Sequence, residues 1–166
     1  MRRSILADLG HKSLRTLLGL LCAVSLCASA ADEPDPASHP VWQKIRASLL
    51  QGKAPTAAKD HELRLELPGR AEDAATVPVA IRSELPLQGE RAVEKIYLIV
   101  DDNPSPVAAV FSLHPLAGRI DLETRIRVES YTHVRALALL KDGSLMMAVR
   151  YIKAAGGCSA PAHGYS

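Results

Sequence analysis

Over long stretches of this chain the apolar residues recur at every second position. Ile120, Leu122, Thr124, Ile126 and Val128 alternate with Asp121, Glu123, Arg125 and Arg127. A helix would scatter these two sets around its circumference, whereas a strand separates them, because successive side chains point to opposite faces. Leu63, Leu65 and Leu67 alternate in the same way with Glu62, Arg64 and Glu66, and Val77, Val79 and Ile81 alternate around Pro78 and Ala80. Residues 93–100 (VEKIYLIV) and 107–113 (VAAVFSL) are apolar on both faces towards their ends, which predicts buried strands. Asp101-Asp102-Asn103-Pro104 separates them and reads as a set of turn formers. Residues 133–140 (HVRALALL) and 144–152 (SLMMAVRYI) flank Lys141-Asp142-Gly143, a hairpin signal. The Ala and Leu content of 133–140 also suits a helix, but Thr132 and the Asp-Gly turn favour a strand.

One helix precedes the strands. Val41, Trp42, Ile45, Leu49 and Leu50 recur at helical spacing, Ser38 is placed to cap, and Gly52 with Pro55 ends the run. Seven turn-bounded strands without long helices between them predict an all-β fold, an immunoglobulin-like antiparallel β-sandwich with a short N-terminal helix. With one Phe, one Trp and four Tyr, its core must be mainly aliphatic. No cysteine pair is available to bridge the sheets, so stability rests on packing.

The N-terminus reads as an export signal. Arg2, Arg3, Lys12 and Arg15 precede an apolar run from Leu17 to Ala28, and Ala28-Ser29-Ala30 supplies small residues for cleavage after Ala30. Asp32, Glu33 and the prolines at 34, 36 and 40 follow too soon for a membrane span, so a retained anchor is the minor alternative. Cys22 and Cys27 leave with the peptide. Leu21 and Leu26 stand before them where a lipoprotein signal needs a small residue, which argues against lipidation. Arg2-Arg3 suggests the twin-arginine route, but Asp8 and His11 separate the pair from the apolar run and leave the Sec route equally open. The organisation expected is a signal peptide at 1–30, a linker at 31–40, one domain at 41–153 and a flexible arm at 154–166. Without residues 1–30 the chain keeps 16 basic against 17 acidic residues, formally −1. Such a balance gives nucleic acid or an anionic membrane nothing to bind.

Only Cys158 then remains, in Gly156-Gly157-Cys158-Ser159-Ala160-Pro161. A single thiol on a flexible tail in an oxidising compartment has nothing to staple and reads as a reactive group. A free thiol with a pKa of about 8.5 is a few per cent thiolate at neutral pH. Lys153 and His163 are near in sequence to assist ionisation. Gly156 and Gly157 remove side-chain bulk beside the sulfur and free the backbone, as an arm hinge requires.

Val100-Asp101-Asp102-Asn103-Pro104-Ser105-Pro106-Val107-Ala108, Thr124-Arg125-Ile126-Arg127-Val128, Thr132-His133-Val134-Arg135-Ala136, Asp142-Gly143 and Gly156-Gly157-Cys158 together resemble the SoxY family of sulfur-oxidation carriers, from about Val41 to Cys158. The resemblance implies a periplasmic immunoglobulin-like carrier, not an enzyme and without cofactor. It implies that Cys158 holds sulfur intermediates covalently and that a SoxZ-like subunit pairs with the chain. The best-known members end in a Gly-Gly-Cys-Gly-Gly type arm. Ser159-Ala160-Pro161-Ala162 looks instead like the SoxYZ-like carriers associated with quinoprotein dehydrogenases, which continue into a fused SoxZ-like domain. The partner domain is then a separate chain or lost from this one. The partner enzymes implied are periplasmic sulfur-oxidising enzymes or a quinoprotein dehydrogenase system, and the altered arm puts thiosulfate itself in doubt as the cargo.

Other readings compete. The Gly-Gly-Cys segment is compatible with an ordinary loop, or with a structural domain whose thiol forms an intermolecular disulfide. His39, His61, His114, His133 and His163 with Met146 and Met147 form a soft-metal set on paper, but without paired ligand spacing they predict no metal site. Cys158 with His163 fails as a catalytic pair, because both lie on a tail that cannot fix their geometry.

Overall fold

The computed structural model describes residues Glu33–Ala154. One helix, α1 (Pro40–Leu49), is followed by eight strands: β1 (Thr56–Ala57), β2 (Arg64–Glu66), β3 (Val77–Ser83), β4 (Val93–Val100), β5 (Val107–Ser112), β6 (Ile120–Ile126), β7 (Thr132–Leu140) and β8 (Leu145–Ile152). They form a five-stranded sheet in the order β1-β8-β7-β4-β5 and a three-stranded sheet in the order β2-β3-β6. The two sheets face each other as an immunoglobulin-like sandwich. The seven expected strands are all present. The eighth, β1, is two residues long and pairs parallel with Met146 and Met147, too short to leave a period in the sequence.

The alternation of β3 and β6 separates core from solvent as expected: Val77, Val79 and Ile81 are buried, as are Ile120, Ile126 and Val128. They meet Ile96, Leu98 and Val100 of β4 and Val134, Ala136, Ala138 and Leu140 of β7 between the sheets. The opposite face of β4 and β7 is covered as well. Trp42, Ile45 and Leu50 of the helical segment pack there against Ile99, Leu137 and Leu145. The helix thus adds a third layer over the central strands, which is why β7 is apolar without alternation. Asp142-Gly143 makes the expected turn, with Gly143 at φ 78 and Asp142 Oδ1 accepting from the Ser144 N–H at 2.8 Å.

Two local expectations are corrected. The strand at 107–113 is not buried. It pairs only with β4 and forms a sheet edge, leaving Val107 at 36% and Val110 at 50% exposure. Ser38 does not cap the helix. His39 is the N-cap and makes no side-chain capping bond, because Pro40 at the first helical position sets the start one residue later. The Ser38 hydroxyl instead donates to the Asp35 carbonyl at 3.1 Å.

Candidate functional site

The end of β4, the start of β7 and the end of β8 meet at one end of the five-stranded sheet, where Val100 pairs with Val134 and Thr132 with Ile152. The polypeptide is held beyond β8. The Lys153 N–H donates to the Gly69 carbonyl at 2.9 Å, and the Ala71 N–H donates to the Lys153 carbonyl at 3.0 Å. Ala154 is buried in the core. Lys153, expected to assist a thiol, is therefore fixed at the root of the arm by its backbone. Cys158, Gly156, Gly157 and His163 lie outside the described residues. A groove of about 370 Å³ beside this root is lined in part by Arg70, Ala71, Asp73 and Arg125.

At the same end lies a buried charge cluster that the sequence reading missed. Asp101, expected to be a turn former, is fully buried. It accepts from Arg135 Nε at 2.8 Å on Oδ1, and Arg135 Nη2 donates to Oδ2. The correction follows from position. Asp101 directly follows the buried end of β4, and its N–H donates to the His133 carbonyl at 3.0 Å, so the ladder carries it inside before the chain turns. Asp102 and Asn103 do form the turn: the Asp102 N–H donates to Thr132 Oγ1 at 3.0 Å, and Asn103 Nδ2 donates to the Arg127 carbonyl at 2.8 Å. Arg135 is also fully buried, with its guanidinium carbon 4.4 Å from the Trp42 ring centre. A cation over an indole face is stabilised there by the ring quadrupole.

The Pro-rich segment before the helix closes the cluster. Arg135 Nη2 donates to the Pro36 carbonyl at 2.7 Å. His39 lies 3.0 Å from Asp102 Oδ1 through Nε2 and 3.7 Å from Asp101 Oδ2 through Nδ1. His133, 1% exposed, lies 3.6 Å from Glu33 Oε1 and packs against Tyr151 in a tilted arrangement, with 5.0 Å between ring centres and 56° between ring planes. Burial and the neighbouring Arg135 push His133 below its ordinary value of 6.5, with Asp101 and Glu33 opposing. His39 Nδ1, His133 Nε2 and Arg135 Nη1 are buried and make no hydrogen bond among the described residues. One signal was available in advance: Arg135 and His133 stand within an otherwise apolar strand, and charge in such a run needs a buried partner. The cluster is not catalytic in form, since both Asp101 oxygens are engaged by Arg135. No group of three or more His, Cys, Asp or Glu among the described residues is arranged to hold a metal.

The profile of the sulfur oxidation protein SoxY family matches residues 46–158, more than half of the chain and a span that includes Gly156, Gly157 and Cys158. The chain belongs to the SoxY family. Among solved structures, the sulfur carrier protein SoxY from Chlorobium limicola f thiosulfatophilum is similar at 20% identity over 68% of this chain and 90% of that one, with a TM-score of 0.56. A superoxide reductase (neelaredoxin) variant from Ignicoccus hospitalis matches at 15% identity over 67% and 90%, with a TM-score of 0.50. A protein from Thermotoga maritima assigned as a superoxide reductase matches at 12% over 61% and 95%, with a TM-score of 0.51. No curated protein matches the sequence. The structural likenesses establish a shared sandwich, on which unrelated chemistries can be placed. The function class comes from the SoxY match: a sulfur-oxidation carrier, not an enzyme.

Proposed function

We propose that this SoxY-family chain is a periplasmic carrier that holds sulfur intermediates covalently on Cys158 and presents them to partner enzymes. The observation that carries this reading is the root of the arm. The backbone is fixed as far as Ala154, and the family match continues through Gly156, Gly157 and Cys158. Four residues beyond a fixed point can carry the Cys158 Cα no more than about 14 Å from it and the sulfur one side-chain length further, enough to enter a partner's narrow active site while the sandwich stays outside. Gly156 and Gly157 act as the hinge. Joining the Cys158 thiolate to a reduced sulfur compound through an S–S bond removes two electrons, which the loading oxidoreductase takes up.

A SoxZ-like subunit pairs with the chain. The edge strand β5, with Val107 and Val110 exposed along it, supports such pairing, since an open apolar edge invites strand addition. The enzymes served are sulfur-oxidising or belong to a quinoprotein dehydrogenase system. Intact mass of the chain purified from its periplasm tests the carrier role. Adducts in sulfur or sulfonate increments that vanish in Cys158→Ser are expected; a disulfide-linked dimer without adducts would replace the carrier with a structural domain.

A further inference from the structure

His133 is enclosed by four elements. Asp101 faces it from the loop after β4, with His133 Nδ1 4.0 Å from Oδ2; Arg135 shares its strand; the Tyr151 ring packs against it at a tilt from β8; Glu33 and His39 approach from the segment before the helix. Three of these elements are locked. β7 pairs with β8 from Thr132 to Leu139 and with β4 from Val134 to Leu140. The segment before the helix is held to the cluster by side-chain contacts and one carbonyl: Pro36 to Arg135, His39 to Asp101 and Asp102, and Glu33 to His133. Glu33 is 57% exposed, so water screens most of its attraction.

We propose that Glu33–His39 is a strap over this cluster that lifts when His133 takes up a proton, so that the end of the sandwich carrying the arm responds to acid. A protonated imidazole buried beside Arg135 needs water, and raising the strap admits it at less cost than parting two β-ladders. The two histidines act oppositely. A proton on His39, between Asp101 and Asp102, holds the strap down, so opening belongs to His133. Tyr151 ties the event to the arm, because it contacts His133 and lies three residues before Ala154. That last link rests on the carrier reading; the motion of the strap does not. Oxidation of reduced sulfur to oxyacids releases protons, so a carrier in that chemistry works where pH falls.

The test is hydrogen exchange at the Arg135 Nε–H, measured by NMR on the chain and normalised to the Leu137 amide in the same strand. Between about pH 7.5 and 5.5 the normalised rate should rise about tenfold in wild type and in His39→Gln, and stay flat in His133→Gln. The His133 ring in the wild-type chain, followed in the same titration, should protonate below the ordinary 6.5 and in step with the exchange. The second readout stands if His133→Gln fails to fold. An unchanged response in His133→Gln, its loss in His39→Gln, a ring that titrates at or above the ordinary value, or opening that exposes β4 and β7 together would overturn the strap. None of these outcomes depends on what Cys158 carries.

Discussion

Two arginines of this molecule are each paired with acidic side chains, Arg82 with three and Arg135 with one, and they differ in nearly every physical respect. Arg82, on the outer face of the three-stranded sheet, contacts Glu66, Asp121 at 3.3 Å and Glu123 at 2.8 Å, with 39% of its side chain exposed. Arg135 contacts Asp101 with neither side chain exposed at all. Arg82 has three partners and little depends on any one, because water screens each pair and replaces any that is lost. Arg135 has one carboxylate, one carbonyl and one indole, and nothing can replace them. The number of partners is a poor guide to what an ion pair does for a fold; access of water is the better one.

The sharpest way to break that comparison is Asp101→Asn, which leaves Arg135 buried without a counter-charge. Urea unfolding should show a loss of about 3–5 kcal/mol, most of it recovered when Arg135→Met is added. A loss below about 1 kcal/mol would put Asp101 in the same class as the exposed carboxylates. The pH dependence of stability comes next. His133 is held below 6.5 in the folded chain, so on acidification the unfolded chain binds this proton first. Its contribution is therefore complete above about 6.5 and is lost as pH falls towards the folded-state value. Urea midpoints between neutral and mildly acid pH should fall in wild type and fall less in His133→Gln.

Arg82→Ala should cost at most about 1 kcal/mol, and the cost should shrink as salt is raised. A larger, salt-independent loss would mean that the outer ladder of charges is itself a structural unit. The smallest effect on the fold is expected from the arm: Cys158→Ser, or Gly156→Val with Gly157→Val, should leave the melting temperature unchanged. Under the proposed carrier role both should nevertheless reduce delivery of sulfur to partner enzymes, the first by removing the proposed attachment atom and the second by stiffening the proposed hinge. A fall in melting temperature matching the loss of delivery would assign the glycines to the fold instead.

The strands were legible because they are amphipathic. Period two in Ile120–Val128 and Val77–Ile81 follows directly from one wet face and one dry one, and the turn at Asp142-Gly143 announces itself by residue type. The reading failed where burial depends on what lies beside a strand. Residues 107–113 are as apolar as a buried strand, yet β5 has a neighbour on one side only, and sequence carries no record of sheet order. Asp101 and Asp102 are identical neighbours. One is buried on the helix-covered face of the sheet and holds Arg135; the other sits 35% exposed in the turn, bonded to His39. Alternation across a strand end explains that difference once the end is known.

The sequence by itself determined the all-β sandwich, the helix that precedes it and the setting of Cys158 in a Gly-Gly-Cys segment, because each depends on the order of residues within a short stretch. Only the tertiary structure decided that Arg135 and Asp101 are partners 34 positions apart, that the Pro-rich segment closes over them and that β5 is an edge. Those facts depend on which surfaces exclude water when the layers come together. That is a property of the assembled sheets and helix, which no local pattern encodes.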